Sequence, residues 1–456
     1  MNPFASGRST YCRLCAPIKR QFKRRDMRRL ALSMRTSPGV PHNCKIPPPA
    51  VPNTYFGQFI MHDLTQDDTP LSQRNPPDAS EIVNHRSPFL NLDSIYGRGP
   101  ASEDVLLYET DGISFKLGSV CTDKGVPFDV PLDPRTKRPL VADARNAENL
   151  IIRQIHAMFL RLHNAAVAEI KATAPSSVLF ETARQRVREQ YQWLIRNEDG
   201  FLIRVCKSAI YDEIIRRCNH HIEWEDTFSI PVEFAHAGGR FGHSMVRAEY
   251  LLNKNNGMSL AEIFRESHKR RPLRSDLAID WRGLFDQGAN SIDTSVVSDL
   301  FQLGPKAIQP FVEHVAWLES LKLPIRTLYR HIRMRLPTGE QLRDVLDPTV
   351  VLSEPECPEY HPFAMLDELG LRGNTPLWYY ILLEAELNER GGNLGPIGSR
   401  LLCEVMEGAL RATPCSIWAN VCKDPSWRPR AWAAPNGSEV LINNLFDVAI
   451  VVGLAE

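Results

Sequence analysis

The chain has 456 residues, of which 43% are hydrophobic, 24% charged and 8% aromatic. These fractions are close to those of soluble globular proteins, and they exclude a collagen-like, a disordered or a disulfide-scaffold protein. Lysine plus arginine and aspartate plus glutamate each number 54, so the formal net charge is zero. A protein whose whole surface binds nucleic acid would be clearly basic, so no nucleic-acid partner is predicted.

Residues 1–52 differ in composition from the rest of the chain. Residues 1–35 carry an excess of arginine and lysine, and residues 36–52 are rich in proline. This composition predicts a mobile, charged leader followed by an extended connector. The basic run from Lys19 to Arg29 allows an alternative in which the leader contacts nucleic acid or an acidic membrane surface, but a solvated tail is the simpler interpretation.

The leader also contains residues that could hold a metal ion. Cys12, Cys15, His42 and Cys44 could supply the four ligands of a zinc site. The wide gap between the two pairs and the proline-rich connector argue against this alternative. One zinc ion per chain, lost on deletion of residues 1–50, would support it.

Three features bear on the compartment. The start of the chain lacks the apolar stretch and small-residue cleavage site of a secretory signal. The ten cysteines are scattered, which favours thiols in a reducing compartment over a disulfide framework. No apolar stretch reaches the roughly 18 residues that a transmembrane helix needs. The expectation is a protein without a membrane span, cytoplasmic by default.

Helical periodicity dominates from Tyr55 onward. Ile151, Ile155, Met158 and Leu162 recur at steps of three and four residues and form one face of a long helix. Three further helical segments are predicted at 181–205, at 376–392, where Gly391 and Gly392 end the pattern, and at 394–412, which opens with Pro396. Strand-like alternation is scarce and short. The predicted fold is therefore mainly α.

The segment from Tyr55 to Leu64 places a polar pair in an apolar turn. Gln58 and His62 are four residues apart and share one face of a helix. Taken alone, this pattern is more typical of a buried histidine satisfied by a neighbouring amide than of a catalytic group.

A second segment offers oxygen atoms at every second position. Ser87, Phe89, Asn91 and Asp93 can supply a hydroxyl, a main-chain carbonyl, an amide and a carboxylate from one side of an extended loop. Calcium accepts six to eight such oxygens. Ordinary turn chemistry explains the same residues, so the segment alone does not decide between the two interpretations.

Two more segments contain possible catalytic groups. Arg145 and Glu148 precede the long helix, where a solvated ion pair is the plain interpretation. His243 follows Gly238, Gly239 and Gly242, and glycines allow a large group to approach the backbone closely. This histidine could equally be packed in the core.

Other histidines are interpreted more simply. His156 and His163 lie on one face of the long helix among apolar neighbours, which favours packing. His236 and His331 are close in sequence to the segments above, and no role is assigned to either.

In this order, the segments resemble the animal-type haem peroxidase family, also called the peroxidase–cyclooxygenase superfamily, and are closest to its prokaryotic branch. GQFIMHDLT resembles the distal-histidine motif and SPFLNLDSIYG the calcium loop. ADARNAENLIIRQIHAMFLRLHN resembles the segment of the catalytic arginine, and RFGHSM that of the proximal histidine. LPIRTLYRHIRMRLP and the segment 375–414 extend the resemblance, which runs from about Tyr55 to Arg430.

The resemblance implies a haem-dependent peroxidase that reduces hydrogen peroxide through a ferryl intermediate while oxidising a small aromatic, organic or halide donor. The implied cofactors are haem b and Ca²⁺. The implied organisation is a leader over 1–52, a helical catalytic core around a buried haem over 53–345, and a C-terminal helical part over 346–456.

The roles implied near the haem are these. His62 would be the distal base, Gln58 its partner on the same helix face, and Arg145 the guanidinium that stabilises the departing oxygen. An ordinary histidine pKa near 6.5 would let His62 take and return a proton near neutral pH. His243 would ligate the iron, and Glu148 could form an ester to the haem.

The remaining implied roles concern carboxylates and calcium. Arg240 and Arg330 would bind the haem propionates. The calcium ligands would be Asp63 together with the oxygens named above, from Ser87, Phe89, Asn91 and Asp93. Because Asp63 follows His62, calcium binding would fix the distal helix.

Four positions depart from the family pattern. Met61 replaces a second ester-forming aspartate, and Asn149 replaces the methionine that forms a sulfonium link in some relatives. Thr327 stands where an asparagine usually accepts the N–H of the proximal histidine, and a hydroxyl is a weaker acceptor. Asn91 removes one negative charge from the calcium loop, which lowers the expected affinity.

Two alternative functions stay open. Fatty-acid dioxygenases of the superfamily use a tyrosyl radical three residues before the proximal histidine. That position is Arg240 here, which cannot form such a radical and therefore favours a peroxidase. The departures at Met61 and Thr327 also allow a degenerate member with a binding or structural role, which a missing Soret band would reveal.

Overall fold

The computed structural model describes residues 9–19, 22–36, 47–69, 78–118, 129–224, 227–254, 256–303, 322–355 and 361–455. Within these ranges the fold is mainly α, which confirms the prediction. The described strands form three antiparallel pairs: β1 (Ser9–Thr10) with β2 (Val83–Asn84), β3 (Glu249–Asn253) with β4 (Asn256–Ser259), and β5 (Trp432–Ala433) with β6 (Glu439–Val440).

The helices follow one another along the described chain, joined by loops and short 3₁₀ turns. They are α1 (Arg24–Ser33), α2 (Val51–Leu64), α3 (Asp93–Tyr96), α4 (Leu150–Ile170), α5 (Ser176–Arg196), α6 (Phe201–Val205), α7 (Ser208–Tyr211), α8 (Val232–His236), α9 (Gly242–Met245), α10 (Leu260–Ser267), α11 (Trp281–Phe285), α12 (Leu323–Arg333), α13 (Gly339–Leu346), α14 (Ala364–Glu368), α15 (Leu377–Glu389), α16 (Pro396–Ala412), α17 (Trp418–Lys423) and α18 (Leu445–Val451).

The long helix α4 lies at the centre of the fold and packs against α5 and α2. Its predicted apolar face is fully buried, and the side chain of Asn149 caps its start by accepting the N–H groups of Ile151 and Ile152. The rings of Phe59 on α2 and Phe159 on α4 stack with centroids 5.0 Å apart. This contact fixes the helix that carries His62 against the central helix.

The helices α15 and α16 end and begin at the predicted residues. The chain turns left-handed at Arg390 and Gly391, directly after α15, and Pro396 opens α16. The carboxylate of Glu384 on α15 accepts the backbone N–H of Ile397 in the first turn of α16. This hydrogen bond joins α15 to α16, in addition to the packing between the two helices.

The leader differs from its prediction as a solvated tail. The strand β1 pairs with β2, and α1 packs against α12. Met27, Leu30 and Ala31 are completely buried, because they form an apolar stripe at helical spacing. The composition of the segment does not reveal this stripe, since positive charges surround it. The described parts of the leader therefore belong to the packed structure.

The described half of the predicted zinc site does not favour metal binding. The thiol of Cys12 donates to the carbonyl of Ser229. Burial, and next the charge of Glu233, raise the pKa of Cys15 to about 12, which disfavours the thiolate that zinc requires. His42 and Cys44 lie outside the described residues.

Over the ranges given above, no helix is both long and apolar enough to cross a bilayer.

Candidate functional site

The predicted distal histidine is buried on α2. His62 is 8% exposed, and its Nδ1 lies 2.9 Å from Oδ1 of Asn146. Since an amide oxygen only accepts, the ring proton belongs on Nδ1 and the lone pair on Nε2. Among the described residues, Nε2 of His62 makes no hydrogen bond. The ring therefore presents a basic nitrogen on the side away from Asn146.

The pKa of His62 differs from the ordinary value expected from the sequence. Burial, and next the positive charge of Arg145, lower it to about 3. His62 is therefore neutral at physiological pH and can accept a proton, while its protonated form is unfavourable and readily gives the proton back.

Asn146 orients His62 and is a site residue that the sequence analysis missed. Its Nδ2 lies 3.2 Å from Nδ1 of His156 and 3.5 Å from the carbonyl of Ser94, so the amide group is held with its oxygen toward His62. His156, expected to be a packing residue, is buried and takes part in this network. The one feature of the sequence that could have indicated Asn146 as a site residue is its position directly after Arg145.

Arg145 binds the end of the distal helix. Its guanidinium donates to the carbonyls of His62 at 2.9 Å and Thr65 at 2.7 Å, and to the carboxylate of Asp143 through Nε and Nη2. These bonds use four of the five N–H groups of an arginine. One N–H on Nη1 is left for another acceptor.

Gln58 and Glu148 meet directly, as a hydrogen bond joins Nε2 of Gln58 to the carboxyl group of Glu148. Asn149 Nδ2 donates to Oε1 of Gln58 at 3.4 Å. Burial raises the pKa of Glu148 to about 7, against the opposing charge of Arg145. The structure thus brings together Gln58, His62, Arg145 and Glu148, as the resemblance implied.

The predicted proximal histidine lies on the short helix α9. Nδ1 of His243 is 3.5 Å from Oγ1 of Thr327, and this hydroxyl donates to the carbonyl of Leu323 at 3.0 Å. The ring also packs edge-on against Trp378, with centroids 5.8 Å apart. Burial, and next the charge of Arg240, keep the pKa of His243 well below its ordinary value. The ring is therefore neutral, as a metal ligand must be.

Three arginines form a cluster beside His243: Arg240, Arg326 and Arg330. Nη1 of Arg330 is 3.4 Å from the carboxylate of Asp67, while Arg326 makes no hydrogen bond to any described residue. Burial, and next the charge of Arg330, lower the pKa of Arg326 to about 10. The cluster holds more positive than negative charge, a situation that a bound dianion would relieve.

Arg326 was not predicted from the sequence, although a signal existed. It precedes Arg330 by four residues on α12, and two like charges on one helix face are unfavourable unless something compensates them. Its charge acts on both Glu148 and His243, which places it between the distal and the proximal groups.

The distal and proximal segments meet at Met61 and Gly239. A Cβ atom on Gly239 would lie 2.4 Å from Sδ of Met61, so a larger residue there would require the Met61 side chain to move. On α12, Arg326 and Arg330 keep accessible surface, whereas Ile325 and Leu328 have none. Burial nevertheless lowers the pKa of Arg326, so its guanidinium group is largely withdrawn from solvent.

These observations bear on whether the residues present fit a haem group. The described residues supply a neutral imidazole from α9, a neutral imidazole from α2 and a cluster of three arginines with one close carboxylate, that of Asp67. A planar iron macrocycle with two carboxylates supplies both the metal and the negative charge that this arrangement lacks. The residues fit the group.

The predicted calcium loop adjoins α2. Asp63 accepts the backbone N–H of Leu92 at 3.0 Å and of Ser94 at 3.1 Å. Ser87 donates its hydroxyl to Oδ2 of Asp93 at 2.6 Å, whereas Oδ1 of Asp93 is buried without a partner among the described residues. Burial, and next the nearby charge of Asp93, raise the pKa of Asp63 to about 7. Two close buried carboxylates and an orphaned oxygen are compatible with a missing cation.

The remaining predicted calcium ligands are positioned less favourably for binding a cation. Nδ2 of Asn91 points to the hydroxyl of Ser87 at 3.0 Å, and Oδ1 of Asn91 accepts the N–H of Asp93 at 3.1 Å. Phe89 is half-buried in the same loop. Within the described ranges, no group of three or more histidine, cysteine, aspartate or glutamate side chains is arranged to hold a metal ion.

A helical fold that packs α2 against α9, each with a neutral histidine, and holds an arginine cluster beside His243 is the arrangement expected of a haem protein. The chain belongs to the animal haem peroxidase family, whose model matches residues 71–311, just over half of its length. The match includes Arg145, Glu148 and His243, whereas His62 precedes it and Arg330 follows it. No curated protein matches the chain.

Solved structures show the same fold at low sequence identity. Peroxidase A from Dictyostelium discoideum is 16% identical, with a TM-score of 0.63, over 98% of this chain and 94% of that one. The fatty acid alpha-dioxygenase of Arabidopsis thaliana is 13% identical, with a TM-score of 0.64, over 98% and 77%. That of Oryza sativa is 14% identical, with a TM-score of 0.61, over 90% and 76%.

Proposed function

We propose that this protein is a haem peroxidase that reduces hydrogen peroxide and oxidises a small organic or halide donor. In this proposal His243 binds the iron through Nε2, and the hydroxyl of Thr327 accepts its Nδ1–H. The guanidinium groups of Arg240, Arg326 and Arg330 bind the two propionates. Bound haem supplies the iron and the electrons for cleavage of the O–O bond.

His62 transfers the proton in this mechanism. Its Nε2 would take a proton from one oxygen of hydrogen peroxide and return it to the departing oxygen, which would leave as water. The hydrogen bond from Nδ1 to Asn146 keeps Nε2 unprotonated before each cycle. The low pKa of His62 favours the second transfer, because the imidazolium is a strong acid.

Arg145 stabilises the charge that develops on the departing oxygen. Its bonds to Asp143 and to the carbonyls of His62 and Thr65 hold the guanidinium rigidly, and the remaining N–H on Nη1 is available as a donor. A fixed donor of this kind is worth about 3–4 kcal/mol in a transition state.

The choice of a peroxidase over a fatty-acid dioxygenase depends on Arg240. This residue stands three positions before His243, where the dioxygenase chemistry implied by the resemblance needs a tyrosine. Both types of protein are found among structures with this fold, so the two activities need a direct comparison.

We also propose that Ca²⁺ binds at Asp63 and Asp93, with oxygens of Ser87, Phe89 and Asn91, and that Glu148 can form one ester to the haem. The orphaned Oδ1 of Asp93 supports the first proposal. The half-buried carboxyl group of Glu148 at the site supports the second.

The observation that carries the proposed function is the neutral His62 on α2, whose Nε2 has no partner among the described residues, beside Arg145 and on a helix that packs against the helix of His243. The test measures peroxide consumption with an aromatic donor, and oxygen uptake with a long-chain fatty acid, by haem-loaded protein. We expect peroxide consumption without fatty-acid oxygenation, and a loss of about 10²–10⁴-fold in His62→Ala with the Soret band retained.

His163→Ala is the control for this experiment. His163 is also a buried histidine, on α4, but it binds the hydroxyl of Tyr96 at 3.1 Å and the carbonyl of Ile113 at 2.9 Å, away from the site. Its replacement leaves the turnover of folded protein unchanged. Fatty-acid oxygenation coupled to a tyrosyl radical would overturn the choice of peroxidase, and a colourless, well-folded protein would overturn haem binding itself.

A further inference from the structure

The N-terminal segment reaches the candidate haem site. Backbone hydrogen bonds join the N–H of Cys12 to the carbonyl of Ile230 at 3.1 Å and the N–H of Val232 to the carbonyl of Cys12 at 3.0 Å. The N–H of Cys15 donates to the carboxyl group of Glu233 at 3.1 Å. These bonds hold the segment along the start of α8, the helix that leads into the segment of His243.

Tyr11 lies in this segment and faces inward. Its side chain is 2% exposed, and its ring centroid is 5.7 Å from that of His236. His236 in turn contacts Arg330, with Nδ1 3.2 Å from Nη1, and its Nε2 lies 3.6 Å from the carboxylate of Asp67. Tyr11 is therefore in the layer directly behind the arginine cluster.

The hydroxyl group of Tyr11 is buried without a hydrogen-bond partner among the described residues. Burial, and next the charge of Asp67, raise its pKa, so the group stays a protonated donor. The cations whose charge reaches it are Arg145, Arg240 and Arg330. Guanidinium groups cannot accept a hydrogen bond, so these neighbours leave the donor unsatisfied.

We propose that Tyr11 donates its hydroxyl hydrogen bond to a carboxylate of the group bound at the arginine cluster, and that the N-terminal segment is thereby part of the cofactor site. The inference rests on the proposed function, in which that group is haem and the carboxylate a propionate. Tyr11 adds a neutral hydrogen-bond donor to a cluster of cations. The N-terminal segment, whose composition indicates only a charged tail, thereby has a function in cofactor binding.

The test compares haem binding by Tyr11→Phe and by the parent protein. Both carry Glu148→Gln, which leaves no carboxyl group at that position to form an ester, and haem is titrated into protein prepared without it and followed at the Soret band. Loss of one hydrogen bond to a charged acceptor predicts a dissociation constant about 10-fold higher or more. The melting temperature of the haem-free protein stays unchanged or rises, because the substitution removes an unsatisfied buried hydroxyl.

Tyr380→Phe is the matched control. Tyr380 is also completely buried with an unpartnered hydroxyl among the described residues, but it packs against Gly339. Its replacement leaves haem affinity unchanged. Equal affinity in Tyr11→Phe and the parent protein, or an equal loss in Tyr380→Phe, would overturn the role of Tyr11. If the parent protein itself bound no haem, the proposed function would fail first, and this inference would fail with it.

Discussion

Thr327 determines how the proximal histidine is held. Its hydroxyl donates to the carbonyl of Leu323, so its lone pairs are directed toward Nδ1 of His243. The distance of 3.5 Å is long for a hydrogen bond, which means that His243 is polarised only weakly. A weakly polarised imidazole gives less electron density to a bound iron than one bonded to a strong acceptor.

Thr327→Val tests this arrangement, because it keeps the shape of the side chain and removes the acceptor. We expect the reduction potential of the bound iron to rise and turnover with peroxide to fall, since the Nδ1–H loses its partner. Thr54→Val on α2 is the control, because the buried hydroxyl of Thr54 has no partner among the described residues. The prediction is checked by spectroelectrochemistry, and an unchanged potential would show that Thr327 does not influence the iron.

At the scale of elements, the end of α2 is fixed by two charged groups. Arg145 binds the carbonyls of its last turn, and Asp63 accepts the backbone N–H groups of Leu92, just before α3, and of Ser94, within α3. Burial, and next the repulsion from the carboxylate of Asp93, raise the pKa of Asp63. A bound cation would remove the repulsion and stabilise the position of His62.

Chelation of calcium is therefore expected to lower peroxidase turnover and to speed the loss of haem. Both effects should be reversed by added Ca²⁺, and Asp93→Asn should reproduce them. Asp133→Asn, which alters an exposed turn, should not. Turnover and the Soret band are recorded before and after exhaustive removal of metal. Full turnover without bound Ca²⁺ would exclude this role for the ion.

The helix α1 contributes to the stability of the core rather than forming a solvated leader. Leu30 is completely buried where α1 packs against α12, the helix of Thr327 and Arg330. We expect Leu30→Ala to lower the free energy of unfolding by about 2–5 kcal/mol, as for other large-to-small core substitutions. The measurement is urea unfolding of the haem-free protein.

Leu106→Ala is the control for this substitution, because the side chain of Leu106 is 56% exposed. Its effect should stay within about 0.5 kcal/mol. If Leu30→Ala were equally mild, α1 would not be packed in solution as it is in the structure.

For the whole molecule, periodicity predicted the long helices, except that the predicted segment 181–205 is divided between α5 and α6. The face of Ile151, Ile155 and Met158 on α4 and the Pro396 start of α16 are observed as predicted, because local spacing and capping decide these elements. The packing of α1 was not predicted, because its apolar stripe lies on a helix of only ten residues and is surrounded by arginine. Composition therefore outweighed periodicity in the prediction.

The candidate site was predictable where a motif marks it. The resemblance indicated His62, Arg145 and His243. In the structure, each of them lies near other residues of the candidate site. Asn146 and Arg326 were missed, because their contacts join positions that are far apart in the sequence. The low pKa of His62 was also unpredictable, since it depends on burial that only the folded chain produces.

The central claim is that the imidazole of His243 binds the iron of a haem group that lies against His62. The most direct measurement is the absorption spectrum of His243→Gly protein loaded with haem, recorded before and after addition of free imidazole. We predict an altered Soret band that returns to the wild-type position when imidazole occupies the vacated space. A spectrum identical to wild type without imidazole would show that another residue holds the iron and would contradict the account.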